Sequence, residues 1–366
     1  MTPRRTTQSI VVLTHEASPY QVEFFNAIAH TGVYSLNVVY LYSRHHSRSW
    51  GHQKIQHCHQ ALDDDNALIS AAAAALSGAD LVVFNYYRHP FAAGILEARA
   101  RQGKPWCFWG ERMGVTKLGW AGSLYRRWKL RCLHHSRAAI WGIGEFALER
   151  YRREFGPNRV YCSVPYFSDL SRFQPTRQRT FVNSTRKILF SGSFIERKGV
   201  DLLARAFRKV SRVCPSLRLT LLGDGPLRPR LERELAECCD RVEFVGFKDW
   251  PELPAFYHEA DLLCVPSRHD GWGLVVPEGL AAGLPVISTA RTGAALDLIQ
   301  PGQNGWLIKA GDEVELARAL ERVAALSAAE LSECSAAAVR SVANHSLADG
   351  VKRFNSAVTA TLESWN

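Results

Sequence analysis

Short apolar runs alternate with stretches of helical composition along nearly the whole chain. This rhythm limits the fold more than any single residue does. In the first half the runs are 9–13, 36–41, 80–85, 105–109 and 138–141, with helical composition at 20–30, 67–76 and 90–101. In the second half they are 187–190, 218–222, 242–245, 262–265, 285–288 and a short one at 306–308. Helices are expected to begin near Lys198, Pro226, Trp250, Glu278, Ala295 and Asp312. The runs are nearly continuous Val, Ile and Leu, the pattern of parallel strands covered by helices on both faces. The 366 residues accommodate two such α/β domains, at about 150 residues each. The boundary is read at 165–183, where residues 166–175 are followed by a polar, basic stretch without periodicity. The expected domains are therefore 1–170 and 183–346, followed by a last amphipathic helix at 347–366.

Charge separates the halves. The chain carries 45 Lys and Arg against 35 Asp and Glu, a net of +10. Residues 1–180 sum to +11 and residues 181–366 to -1. The first half is thus expected to meet something anionic: nucleic acid, an anionic membrane surface or a phosphorylated substrate. With 46% apolar and 22% charged residues the chain has the composition of packed cores, and no apolar run reaches the ~18–20 residues of a membrane span. Ile10–Leu13 is too short for the apolar core of a secretion signal. The nine cysteines are scattered, with no Cys-x-x-Cys, so reduced thiols and a cytoplasmic location are expected.

The second half carries the readable chemistry. Four strand ends bear glycine: Ser191-Gly192-Ser193 leading to Arg197-Lys198-Gly199, Gly223-Asp224-Gly225-Pro226, Gly246-Phe247, and Asp270-Gly271-Trp272-Gly273-Leu274-Val275 leading to Glu278. In open parallel sheets the carboxyl ends of strands are where ligands bind, and glycine lets the backbone approach them. The fourth loop runs into a helix, so the N–H groups of Gly273, Leu274 and Val275 are expected to point outward as an anion site. Arg197 and Lys198 would supply full positive charge opposite. Taken singly, each element has an ordinary reading: a turn glycine, a solvated helix start, an N-cap at Asp270. Their order and spacing together are what point to a phosphate-bearing ligand.

At these residues the chain resembles glycosyltransferase family 4, the retaining nucleotide-sugar glycosyltransferases of GT-B fold. The family's pair of acidic residues eight positions apart falls on Asp270 and Glu278, with Asp in place of the usual first Glu. The resemblance implies that Asp270 binds donor-sugar hydroxyls and Glu278 the nucleotide ribose. Gly271, Trp272, Gly273, Leu274 and Val275 would form the diphosphate loop. The family's Gly-Arg and Lys-Gly phosphate clamp falls on Gly192-Ser193 and Lys198-Gly199, with Ser193 in place of Arg and Arg197 as its substitute. Gly223 and Asp224 match the loop after the second strand, and Gly246 and Phe247 the loop that holds the base. The implied architecture is two Rossmann-like domains facing a cleft, the last helix crossing back to the first domain, with closure about 165–183 gating the reaction.

The first half is then acceptor territory. The loop after its first strand, 14–20, lacks the family's glycines. Glu111 falls where many members carry a sugar-contacting His, and a carboxylate there would bind hydroxyls or assist deprotonation. Arg88, His89 and Arg112 are candidate acceptor contacts. Residues 124–137 hold Arg126, Arg127, Lys129, Arg131 and Arg137 with no acidic side chain, and read as a helix with a basic face suited to an anionic membrane or a phosphate-bearing acceptor. Three patterns are expected to be decoys. Asp63-Asp64-Asp65 resembles a metal motif but precedes a helix; His45, His46, His52, His57, Cys58 and His59 match no zinc spacing; the arginines come with no nucleic-acid motif.

The expectation is a metal-independent, retaining hexosyltransferase without a bound cofactor, at the inner face of the cytoplasmic membrane. It would use a nucleoside diphosphate sugar, UDP before GDP, and a glycan or phosphate-linked lipid acceptor. A GT-B nucleotide-sugar epimerase and a non-catalytic basic surface-binding protein are the alternatives.

Overall fold

In a computed structural model of the chain, the described residues are 7–43, 54–63, 65–86, 89–113, 124–125, 127–128, 130–177, 179–181 and 185–366. They form two compact units, one made of 1–168 with 347–366 and the other of 169–346.

The first unit holds a seven-stranded sheet of β1 (Ser9–Glu16), β2 (Ser35–Tyr42), β3 (Cys58–Ala61), β4 (Leu81–Phe84), β5 (Trp106–Gly110), β6 (Ala139–Gly142) and β7 (Tyr161–Ser163). All pairings are parallel, in the order β3-β2-β1-β4-β5-β6-β7. Ile10 lies between Leu36 and Leu81, and Leu13 between Val39 and Phe84, so each central strand is apolar on both faces. Helix Pro19–His30 begins with proline at its first turn and buries Val22, Phe24, Phe25 and Ile28 on one side. Arg99 is buried in the helix Pro90–Gln102, where its guanidinium donates to the carbonyls of Leu76, Ala79 and Pro105. Burial lowers its pKa to about 10, which still leaves it charged. The last helix, Leu347–Glu363, belongs to this unit. Its Phe354 packs edge-on against Trp141, whose indole N–H donates to Thr361 Oγ1 at 3.0 Å.

The second unit holds a six-stranded parallel sheet of β8 (Arg186–Ser191), β9 (Leu217–Leu222), β10 (Val242–Gly246), β11 (Leu262–Val265), β12 (Val286–Thr289) and β13 (Gly305–Ile308). The order is β10-β9-β8-β11-β12-β13. Helix Val200–Val210 buries Val200, Leu203, Ala204 and Phe207 along one stripe against it. Both sheets therefore reverse direction once, between the first strand and the fourth, in the doubly wound Rossmann arrangement.

Several expectations change. The edge strands β3 and β7 lie outside the predicted runs: one is polar, the other three residues long. Strand β1 continues to Glu16, so the segment read as a loop from Thr14 begins as strand. The helix expected at Glu278 starts at Val275, which puts Glu278 in its first turn. The single helix expected over 124–137 is broken by a turn at Leu130, before a short helix at Arg131–His134; Arg126 and Lys129 fall outside the described residues.

Two residues of the polar clusters take structural roles. Asp65 caps the helix Asn66–Gly78 by accepting from the Ala67 and Leu68 amides. His57 is buried between Tyr40 Oη at 2.9 Å and Asn26 Oδ1 at 2.7 Å; burial, then the neighbouring His59, lower its pKa to about 4. His45, His46, His52 and Asp64 fall outside the described residues. Among the described residues no group of three or more His, Cys, Asp and Glu side chains is arranged to hold a metal, and no helix is long and apolar enough to cross a membrane.

Candidate functional site

The carboxyl edge of the second sheet is a shelf built mostly from backbone. Gly192 N donates to Leu222 O at 2.9 Å, Gly223 N to Gly246 O at 2.9 Å, and Phe194 N to Asp224 O at 2.8 Å. Three turns are thereby tied into one surface. Ser193 lies within it, its carbonyl accepting from the Ile195 amide. Asp224 accepts from the Gly225 amide at 2.7 Å and faces Arg228 at 3.4 Å. Phe247, just beyond Gly246, keeps its ring half exposed.

The turn after β8 reaches the loop after β11 by close backbone approach. Gly199 has φ +73°, and a Cβ there would lie 2.0 Å from the Pro266 carbonyl oxygen, so no other residue fits. Arg268 locks the same approach. Its amide donates to Arg197 O, and its guanidinium bridges both Asp201 carboxylate oxygens at 2.6 and 2.7 Å. Burial alone would raise the Asp201 carboxyl, but Arg268 and Arg205 hold it below the ordinary range.

This junction brings Lys198 and Asp270, 72 positions apart, to a 2.6 Å ion pair between Nζ and Oδ2. One of the three ammonium N–H groups is used there, leaving two for a ligand. Arg197 is more exposed; it donates to His269 O at 3.0 Å and stands 3.9 Å from Asp270 Oδ1. The Asp270 backbone is held on both sides, its amide by Arg291 O and its carbonyl by the Gly293 amide. Past Gly271 the chain turns at Gly273, whose φ is +86° and whose Cβ would meet Thr292 Cγ2 at 2.6 Å. Leu274 is the N-cap of helix Val275–Ala281, and the first amides of a helix have no intrahelical acceptor.

Buried polar atoms surround this loop. Ser267 Oγ, Thr292 Oγ1 and Trp272 Nε1 have no hydrogen-bond partner among the described residues. The Trp272 ring is stacked on His345, with centroids 5.7 Å apart. Glu278 is buried and accepts from Tyr257 Oη at 3.0 Å. Burial, reinforced by the Glu278 charge, pushes the Tyr257 phenol far up, so it remains a hydrogen-bond donor. Tyr257, Arg268, Ser267 and Thr292 had no mark in the sequence. Ser267 and Arg268 stand beside Asp270 in the same loop, whereas only the fold brings Thr292 to Asp270 and Tyr257 to Glu278.

The first unit carries a cavity of about 360 Å³ at the carboxyl edge of its own sheet, where β1, β4 and β5 end. Its polar wall is a side-chain network. Thr14 Oγ1 donates to Asn85 Oδ1 at 2.9 Å, Gln21 Nε2 reaches both, and Asn85 Nδ2 donates to Trp109 O at 3.0 Å. Tyr20 and Tyr166 pack at 4.8 Å between ring centroids on another wall. Burial, then Tyr20 and Glu111, push the Tyr166 phenol far up. Glu111 and Arg112 both line the cavity. The Glu111 carbonyl accepts from Tyr151 Oη at 2.6 Å, and the Arg112 guanidinium lies 4.0 Å over the Phe146 ring. His89 is elsewhere: its Nδ1 caps helix Pro90–Gln102 by accepting from the Phe91 amide, and it is absent from the cavity wall. Arg88 lies outside the described residues.

Known proteins resemble this chain in sequence and in fold. Residues 185–325 match the family model described as Glycosyl transferases group 1. A GDP-mannose-dependent alpha-(1-6)-phosphatidylinositol monomannoside mannosyltransferase of Mycolicibacterium smegmatis is 26% identical over 212 residues, 54% of this chain and 55% of the relative. The lipopolysaccharide core biosynthesis glycosyltransferase LpsE of Rhizobium meliloti is 33% identical over 140 residues, 38% of this chain and 39% of the relative. The chain thus spans about half the length or less of the curated relatives it matches. Among solved structures, Anabaena Alr3699/HepE in complex with UDP superposes with a TM-score of 0.75 at 14% identity, covering 97% of this chain and all of that one. Sucrose-phosphate synthase from Thermosynechococcus elongatus superposes at 0.74 and 20% identity, covering 98% and 100%. The chain has the GT-B fold, and its residues 185–325 match the glycosyl transferases group 1 model.

Proposed function

We propose that this protein is a retaining glycosyltransferase that moves a hexosyl unit from a nucleoside diphosphate sugar to a hydroxyl of a lipid-linked or saccharide acceptor. The observation that carries the reading is the Lys198–Asp270 pair at 2.6 Å, set on a glycine shelf beside the buried Glu278. Lys198, with Arg197, faces the diphosphate; Asp270 accepts from sugar hydroxyls; Glu278 accepts from the ribose. The turns at Gly192–Ser193, Gly223–Asp224, Gly246–Phe247 and Gly271–Val275 supply backbone contacts that need no side chain.

The bond between the anomeric carbon and the phosphate oxygen breaks, and one from that carbon to the acceptor oxygen forms on the same face. The acceptor proton passes to the departing phosphate, so no protein base and no metal are required. Negative charge grows on the leaving oxygen, and a fixed ammonium in a desolvated site stabilises it more than water does. The acceptor is assigned to the cavity lined by Thr14, Asn85, Glu111, Arg112 and Tyr166. The named relatives act on phosphatidylinositol mannosides and lipopolysaccharide core, and the +11 of residues 1–180 suits a phosphate-linked acceptor at an anionic membrane face.

A thermal-shift comparison of UDP, GDP, UDP-glucose and GDP-mannose tests the donor, since a ligand of the native state raises the melting temperature by mass action. A rise with one base, followed by turnover that requires an acceptor, is expected. No rise with any of the four would remove the assignment; turnover without acceptor would make the protein an epimerase.

A further inference from the structure

The first unit has a second cavity, of about 560 Å³, at the opposite edge of its sheet. Trp106 opens β5, and Glu97, Ala100 and Arg101 end the helix before it, so this is the edge where strands begin. The five residues of β5 separate it from the carboxyl edge by on the order of 15 Å. It owes nothing to the machinery described above.

Its lining has two characters. It includes Arg101, Arg131, Arg137 and His135 with a single carboxylate, Glu97. Arg131 pairs with Glu97 at 2.6 Å, Arg101 Nε donates to the Glu97 carbonyl, and Arg137 donates to the Trp365 carbonyl at 2.5 Å. A guanidinium has five N–H groups, so all three arginines keep donors in reserve. Ala100, Cys132 and the fully buried Trp106 supply the apolar part. The indole N–H groups of Trp106 and Trp365 have no acceptor among the described residues. Helix C-termini border the cavity and disfavour anions there, so the guanidiniums must do the holding.

We propose that this cavity is a binding site for a phosphate ester bearing an apolar tail. The forked guanidiniums of Arg101, Arg131 and Arg137 take the phosphate oxygens, a geometry lysines do not offer. The Trp106 and Ala100 wall takes the first carbons of the tail. The rim continues in the same sense: Arg131 lies 5.7 Å from the Trp128 ring centroid, and Leu124, Tyr125 and Trp128 are all exposed.

The test is isothermal titration of the full chain with dihexanoyl phosphatidic acid, kept below its micellar concentration, and separately with inorganic phosphate. Flotation with vesicles of phosphatidylcholine, with and without phosphatidylglycerol, accompanies it. Two variants separate the two characters: R131S/R137S removes charge at the rim, and Ala100→Phe fills the apolar part while keeping every charge. Saturable binding of the short-chain lipid, weakened at least ~10-fold in both variants at unchanged melting temperature, is expected from the loss of charge-assisted hydrogen bonds or of the seat. Flotation with anionic vesicles that the variants lose assigns the ligand to a bilayer; binding of the dispersed lipid without flotation assigns a soluble one. Equal affinity for inorganic phosphate and the lipid, no saturation below about 1 mM, or binding that both variants retain would each overturn the proposal.

Discussion

The two units wind their sheets in one order and finish them in different materials. At the carboxyl edge of β8–β13 the surface is backbone: Gly192, Gly223, Gly246 and Gly273 sit at the turns, with Lys198 and Asp270 as the charged pair. At the carboxyl edge of β1–β7 the surface is side chain: Thr14, Gln21, Asn85, Tyr20 and Tyr166 hydrogen-bond or pack with one another. On the proposed reading, backbone amides meet what every nucleoside diphosphate shares, and they are fixed by turns at positive φ, two of which, at Gly223 and Gly273, leave no room for a Cβ. Side-chain networks can be exchanged one residue at a time. The first edge suits a constant ligand and the second a variable one.

The comparison breaks first at Lys198. Lys198→Ala should reduce turnover by roughly 10²–10³-fold, the cost of one missing preorganised donor at a developing charge, with the melting temperature unchanged. Full activity in the purified variant would mean that the shelf works by backbone alone. Glu278→Gln keeps an acceptor for Tyr257 Oη but loses the charge. Nucleotide affinity, read by titration calorimetry, should weaken by about 10–100-fold, the range of a charge-assisted hydrogen bond. Unchanged affinity would take the ribose away from Glu278. Asn85→Ala sharpens the comparison from the other side. The acceptor KM should rise by about tenfold, the worth of one hydrogen bond, with donor affinity untouched. A loss of donor affinity would show that the two edges do not divide the work.

The smallest effect is on stability. His57 stays neutral when folded, with a pKa near 4 against 6.5 when exposed. Stability is therefore full above pH 6.5 and declines as the pH falls toward 4, because the unfolded chain binds the proton first. The wild-type melting temperature should drop over that window by a few degrees more than that of His57→Gln. Parallel pH curves would mean that His57 is protonated inside the fold.

What the sequence disclosed follows the same division. Glycine turns and apolar strands are local signals, so β8–β13 and the residues of the shelf stood out in the order the chain presents them. Edge strand β3, Cys58-His-Gln-Ala, has no apolar run because one of its sides has no partner strand. Tyr257, Arg268 and Tyr166 are ordinary residues locally. They matter because of what lies 21, 67 or more positions away. His89 shows the converse: the sequence places it after a strand, and in the fold its Nδ1 caps the helix that follows.

The placement of helix Leu347–Glu363 has a consequence for synthesis. The second unit is one unbroken stretch, 169–346, whereas the first is completed only by 347–366. A ribosome therefore delivers the first unit's opening strands early and its closing helix last. Until then Trp141 lacks the Thr361 hydroxyl and the Phe354 ring that cover it, and Phe24 lacks its contact with Phe354. Domains generally fold as they emerge. Here the first unit stays incomplete until the whole of the second has been translated.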